Sequence, residues 1–102
     1  MKRASTRISE APRELVDRVR GLDPAALDEL VDAYAGRLHG FFQRMVAAGD
    51  DAEDLVQEVF LRVVRTVGDY REVGRFEAWL FRIAGNLARD QLRRRAAALR
   101  VE

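Results

Sequence analysis

The apolar positions along the chain fall into four runs of helical period, each bounded by residues that start or stop helices. Leu15, Val16, Val19 and Leu22 predict a first helix from about Glu10 to Arg20. Ser9 is its expected N-cap, Pro12 fits the first turn, and Gly21 is placed to take the left-handed conformation after the last turn. Asp23 then caps a second helix whose first residue, Pro24, lacks only an N–H that would have had no helical partner. Leu27, Leu30, Val31, Tyr34, Leu38, Phe41, Phe42 and Met45 keep the i, i+3, i+4, i+7 spacing toward Gly49. Asp50 and Glu53 stand in capping-box register for a third helix running to Val67, with Ala52, Leu55, Val56, Val59, Phe60, Val63, Val64 and Val67 as its apolar set. The valine-rich end has strand propensity, but the unbroken period decides for helix. After a connector from Gly68 to Arg75, Phe76, Trp79, Leu80, Ile83, Ala84, Leu87 and Leu92 mark one face of a fourth helix that continues into Arg93, Arg94 and Arg95. Four amphipathic helices with short connections predict an all-α fold, a compact bundle in which each stripe is buried against the others.

At 102 residues the chain can bury one core and not two. The absence of cysteine excludes a disulfide framework and a thiolate metal site. No apolar signal segment follows the basic start Met1 to Arg7, and no apolar run approaches membrane-spanning length, so a soluble, cytoplasmic protein without membrane insertion is expected. A Gly-rich phosphate loop, a histidine metal motif and a cysteine nucleophile are all missing, and the single histidine, His39, reads as a surface or boundary residue. Neither an enzyme nor a cofactor is expected.

Net charge is +1, which as a sum argues against a binder of nucleic acid. Its distribution argues otherwise. Residues 50 to 70 hold 2 basic and 6 acidic groups, and residues 71 to 102 hold 8 basic and 4 acidic. In the acidic block, Asp50, Asp51, Glu53 and Asp54 suit the positive end of the third helix's dipole. Glu58 lies beyond the first turn, and with Asp54, Gln57, Leu61 and Arg65 it forms an outward stripe containing a large apolar residue among charges. A solvated face, supported by a Glu58–Arg62 pair at i+4, and a partner-docking face both account for this spacing. In the basic block, Arg82, Asn86, Arg89 and Arg93 recur at steps of four, three and four. Guanidinium forks match phosphate oxygens and an amide can read a base edge, although a dipole-stabilised solvated end explains Arg93 to Arg95 equally well. The connector holds Tyr70, Arg71, Gly74 and Arg75, which serve a plain turn or the capture of an unstacked base. Trp79 lies on the core stripe.

Two segments, DAEDLVQEVFLRVVR from Asp51 to Arg65 and FEAWLFRIAGNLARDQLRRR from Phe76 to Arg95, closely resemble region two of bacterial extracytoplasmic-function sigma factors. Glu14 to Gly21 and Asp23 to Tyr34 resemble that family's opening helices, so the likeness covers roughly nine-tenths of the chain and rests on two long motifs in the right order. It implies an N-terminal extension over residues 1–8, a helical domain over 9–98, and the start of a linker over 99–102 leading to a second, absent helix-turn-helix domain. The chain is thus expected to be the N-terminal portion of a longer factor. The resemblance also implies partners: core RNA polymerase, gripped at the β′ clamp helices; promoter DNA, mainly the non-template strand of the minus-ten element; and an anti-sigma factor. By motif position, Asp54, Gln57 and Glu58, with Leu61 and Arg62 beside them, fall to polymerase. Asn86 falls near the junction of duplex and melted strand, Arg82, Arg89 and Arg93 along the backbone, and Tyr70, Arg71 and Arg75 in the loop that captures a flipped base. Gly85 departs from the family's preference for a larger or basic residue. Two other roles fit the same faces: an interaction module held by an anti-sigma regulator with no promoter role, and an autonomous duplex-DNA binder.

Overall fold

Among the described residues four helices follow one another, α1 (Arg13–Arg20), α2 (Pro24–Val46), α3 (Gly49–Thr66) and α4 (Phe76–Val101), with a 3-10 turn, Val67–Asp69, after α3. The computed structural model describes residues 12–46, 49–71 and 74–101, and no strand occurs among them. The expected Ser9 cap lies outside the described residues; Pro12, with an extended ψ of 143°, directly precedes α1.

The end of α1 differs from the sequence expectation by one residue. Gly21 keeps a negative φ of −83°, and Leu22 takes the left-handed position with φ 60°. The Asp23 N–H donates to the Arg18 carbonyl at 3.1 Å and the Leu22 N–H to the Val19 carbonyl at 2.8 Å, the paired bonds of a Schellman motif. Burial of Val19 carries the helix through Arg20, so the left-handed position falls on leucine, at a cost of about 1 kcal/mol. Leu22 is consequently about half exposed and does not join the core stripe predicted for it. Asp23 caps α2 as expected, its Oδ1 accepting the Ala25 N–H at 3.2 Å. It also pairs with Arg18, which reaches Glu29 as well, at 3.2 and 3.1 Å.

α2 runs through the centre and buries Ala26, Leu30, Tyr34, Leu38, Phe42 and Val46, each four residues after the last. Val31 and Met45, expected inside, are exposed because a stripe stepping by four drifts around the helix and leaves them on its margins. α3 packs Ala52, Leu55, Val59 and Val63 against α2 and α4, and Val67 continues the stripe into the 3-10 turn. Val64, also expected inside, is exposed. α4 supplies Phe76, Leu80, Ala84, Leu87 and Ala88, while Leu92 lies on its open side. Residues 99–101, expected to begin a linker, continue the helix.

Two polar clasps fix the helices to one another. The Arg37 Nη1 and the Tyr34 hydroxyl donate to Glu77 Oε2 at 2.8 and 2.9 Å, joining α2 to the first turn of α4. The Arg37 guanidinium also lies over the Tyr34 and Phe81 rings, 5.4 and 5.2 Å from their centroids. Arg95 donates to Asp51 Oδ2 at 2.6 Å and to the Val46 carbonyl at 2.9 Å, joining α4 to the end of α2 and the start of α3.

Candidate protein-docking and nucleic-acid faces

The outward face of α3 carries Asp54, Gln57 and Leu61 in the open. Glu58 is half-buried, its Oε2 accepting Arg62 Nε at 3.3 Å with Arg65 Nη1 at 3.8 Å. Two guanidiniums thus offset the like-charge pair with Asp54 and hold the carboxylate in place. Leu61 is 50% exposed, and Val64, one turn on, is 41% exposed. With Gln57 they form one stripe, an apolar strip edged by charge. Val64 is the member of this face that helical period had assigned to the core; its i+3 spacing from Leu61 was the available signal. Asp54, Glu58 and Arg62 also line a groove whose other wall is Asp90, Gln91 and Arg94 of α4, so the outward face of α3 runs into the space between the two helices.

Arg82, Asn86, Arg89 and Arg93 are all exposed on the side of α4 opposite its core stripe. The row from Arg82 to Arg93 spans roughly 16 Å at the helical rise. Arg89 Nη2 donates to Asn86 Oδ1 at 2.5 Å, and Arg93 pairs with Asp90 one turn earlier. Among the described residues no carboxylate lies within ion-pair distance of Arg82 or Arg89. Arg95, which the run of three arginines places beside Arg93, belongs instead to the clasp with Asp51.

The connector departs from expectation at Tyr70. It is 5% exposed, with its ring 4.9 Å from Trp79 and 5.7 Å from Phe76, and so forms part of the core instead of an exposed base-catching surface. A tyrosine next to two apolar helix positions gains more from this cluster than from solvent. Arg71 is exposed but folds back, donating to the Gly68 carbonyl at 2.7 Å and the Tyr70 carbonyl at 3.0 Å. Arg75 is exposed, and Gly74 before it has φ +79°, a conformation suited to glycine. Trp79 is half-buried in the same aromatic cluster, in keeping with its place on the core stripe.

Glu77 and Arg37 carry no signal in spacing, because they meet only when α2 and α4 pack. The Arg37 hydrogen bond holds the Glu77 carboxyl below the ordinary glutamate range; partial burial opposes this and the Tyr34 hydroxyl adds to it.

Residues 30–98 match Sigma-70 region 2, a span that includes most of α2, all of α3 and the whole Arg82–Arg93 row. Sigma factor CarQ of Myxococcus xanthus is 45% identical over 78 residues, covering 76% of this chain and 45% of the relative. SigE of Mycolicibacterium smegmatis, an ECF RNA polymerase sigma factor, is 47% identical over 76 residues, covering 72% of this chain and 29% of the relative. SigW of Bacillus subtilis is 30% identical over 83 residues, covering 81% and 44%. The chain therefore spans less than half the length of these curated relatives. An engineered region 2 of sigmaE, solved in complex with GTAAAA, superposes with a TM-score of 0.75 at 33% identity, covering 90% of this chain and 98% of that one. The chain belongs to the Sigma-70 region 2 family, in its extracytoplasmic-function branch.

Proposed function

We propose that this chain is the part of a cytoplasmic sigma factor that docks on core RNA polymerase and reads and melts the minus-ten element of a promoter. The observation that carries this reading is the open Arg82–Asn86–Arg89–Arg93 row, which points away from the core. Asp54, Gln57, Glu58, Leu61 and Arg62, extended by Val64, take the β′ clamp helices: the apolar strip supplies contact area and the carboxylates complement a basic partner. Arg82, Arg89 and Arg93 run along the phosphates of the non-template strand and Asn86 reads at the edge of the melted segment. Arg71 and Arg75 flank the position where an unstacked base is held. Tyr70 is given no base contact because it is buried. The complex of an engineered region 2 of sigmaE with GTAAAA supports a nucleic-acid ligand for this fold. An anti-sigma regulator covering the α3 face would exclude polymerase by occupying the same strip.

Binding works by trapping: each captured base contributes about 1–3 kcal/mol toward opening the duplex, and no bond in this chain is made or broken. Affinity of the chain for fluorescein-labelled single-stranded GTAAAA, followed by anisotropy against salt, tests the row. Three or four phosphate contacts give a log–log slope of roughly −2 to −3, and a flat response removes the row from the interface. Gln57→Ala with Glu58→Lys is expected to abolish capture of core polymerase with helicity unchanged; undiminished capture removes the α3 face.

A further inference from the structure

Past the clasp of Arg95, α4 does not stop: Ala96 to Arg100 continue the helix with every residue exposed, Leu99 to 75%. This end adds nothing to the core, yet it is rich in cations, with arginine at 93, 94, 95 and 100 and Asp90 as the only carboxylate from 90 to 100. Arg100 follows Arg93 by seven residues, about 20° short of two full turns, so it lies in line with the Arg82–Arg93 row and about 10 Å beyond it. Between these two arginines the helix surface is low. Arg93 pairs with Asp90, and Arg94 Nη2 donates to Gln91 Oε1 at 3.0 Å, so both side chains lean back toward the helix N-terminus. Ala96 and Ala97 are left as the floor of a shallow hollow of about 570 Å³ bordered by Arg93, Arg94 and Arg100. Among the described residues no carboxylate lies within ion-pair distance of Arg100.

The residue types around the hollow select its occupant. No aromatic residue follows Phe81 along α4, so this end offers no platform on which an unstacked base could lie. Its one amide, Gln91, donates to Asp51 and accepts from Arg94, which ties it to the protein instead of a base edge. What remains is guanidinium, which matches phosphate, and duplex DNA carries about twice the phosphate charge of a single strand per unit length. We infer that the end of α4 between Arg93 and Arg100 seats the backbone of double-stranded DNA, without reading its sequence, next to the single-stranded segment taken by the row. The inference rests on the proposed nucleic-acid role of the Arg82–Arg93 row.

The test compares fluorescein-labelled single-stranded GTAAAA with the same hexamer carrying a short duplex at its 5′ or its 3′ end, by anisotropy against salt. One of the two tailed strands is expected to bind the unmodified chain about three- to tenfold more tightly than GTAAAA alone, with a log–log salt slope steeper by about 1 to 2. Arg100→Ala is expected to remove most of that gain and lower the slope by about 1, leaving the affinity for GTAAAA and the Tm unchanged. Arg100→Lys keeps the charge and should keep the gain, whereas Ala97→Glu, which puts a carboxylate on the floor of the hollow, should abolish it. Changing the sequence of the duplex tail is expected to shift affinity by less than about twofold. No gain from either tail, or a gain undiminished in Arg100→Ala, overturns the inference. So does an equal loss on GTAAAA alone and on the tailed strand, because Arg100 then belongs to the single-strand row, and so does a loss of core polymerase capture in Arg100→Ala with DNA affinity unchanged, the mark of a protein seat. GTAAAA binding that ignores both salt and Arg82→Ala overturns the row reading and the inference together, a result distinct from loss of the tail effect alone.

Discussion

Arg93, Arg94 and Arg95 are chemically identical and adjacent, yet the fold gives them different work, and truncating them one at a time should expose it. Arg95→Ala removes a donor from Asp51 Oδ2 at 2.6 Å and from the Val46 carbonyl at 2.9 Å, the latter at the end of α2 where helical partners run out. Both charged side chains of the pair are 36% exposed, so the ionic part is weakened by solvent. A hydrogen bond to a charged group is worth about 1.5–3 kcal/mol when sheltered. Solvent discounts the Asp51 bond to about 1 kcal/mol. The orphaned carbonyl adds about 0.5–1 kcal/mol. Gln91 Nε2 still donates to Asp51 Oδ2 at 2.9 Å, so the carboxylate keeps one partner and the loss stays near 1.5–2 kcal/mol. For a domain of this size that is a fall in Tm of about 6–16 °C. Arg93→Ala breaks only an exposed i, i+3 pair with Asp90 and is expected to change stability by less than about 0.5 kcal/mol. Thermal and urea unfolding followed by circular dichroism measure both, and a cycle with Asp51→Asn isolates the coupling, expected near 1 kcal/mol. Equal destabilisation by the two arginine variants, or a coupling indistinguishable from zero, refutes the clasp.

Glu77 carries a pH dependence whose sign follows from its depressed folded-state pKa. The unfolded chain binds that proton more readily, so stability from the Arg37–Glu77–Tyr34 clasp is present above the ordinary glutamate pKa and is lost as pH falls through the folded value. Melts from pH 7 down to 3 should therefore show Glu77→Gln least stable relative to the unmodified chain at neutral pH, with the difference closing in acid; a constant difference contradicts this. At Gly36 an added Cβ meets nothing within 4 Å, and at Gly85 only the flexible Arg89 Nη1 at 3.9 Å. Alanine at each mid-helix site is expected to stabilise by about 0.8–1 kcal/mol, the two adding, as read from urea midpoints. Asn86→Ala should weaken promoter opening by a complete factor without weakening polymerase capture; normal opening removes Asn86 from the reading row.

Which parts of this molecule could be read beforehand follows from which interactions are local. Helix existence, the Asp23 cap and the outward row on α4 depend on residues a few positions apart, and their periodicity survives in the sequence. Val31, Val64 and Met45 fail for the converse reason: period places a residue on a broad face, but the contact with two neighbouring helices decides which margin of that face is covered. The same holds for Tyr70. Nothing local distinguishes a loop tyrosine that meets a base from one that folds under Trp79. Leu22 fails more narrowly, since moving a helix end by one residue moves the left-handed position from glycine to leucine. Glu77, Arg37 and Arg95 were invisible because their partners lie forty or more positions away.

The near-zero net charge acquires a different meaning once these pairs are separated. Several charges cancel inside the fold: Arg95 against Asp51, Arg18 against Asp23 and Glu29, Arg37 against Glu77. Near the two candidate faces the cancellation is incomplete. Asp54 lies outside ion-pair distance of any described arginine, and Arg82 and Arg89 outside that of any described carboxylate. The fields left over are thus local and of opposite sign, and at physiological salt each decays within about 8 Å. On the proposed reading, a free domain with two exposed guanidiniums outside ion-pair distance of any described carboxylate is expected to hold duplex DNA weakly. On the same reading, docking by the α3 face would raise the effective concentration of that row over the promoter, so that contacts too weak to act alone would suffice. DNA engagement should then depend steeply on polymerase and only shallowly on the chain's own net charge. Adding a lysine far from α4 should leave binding to the promoter complex unchanged, whereas Arg82→Ala should weaken it.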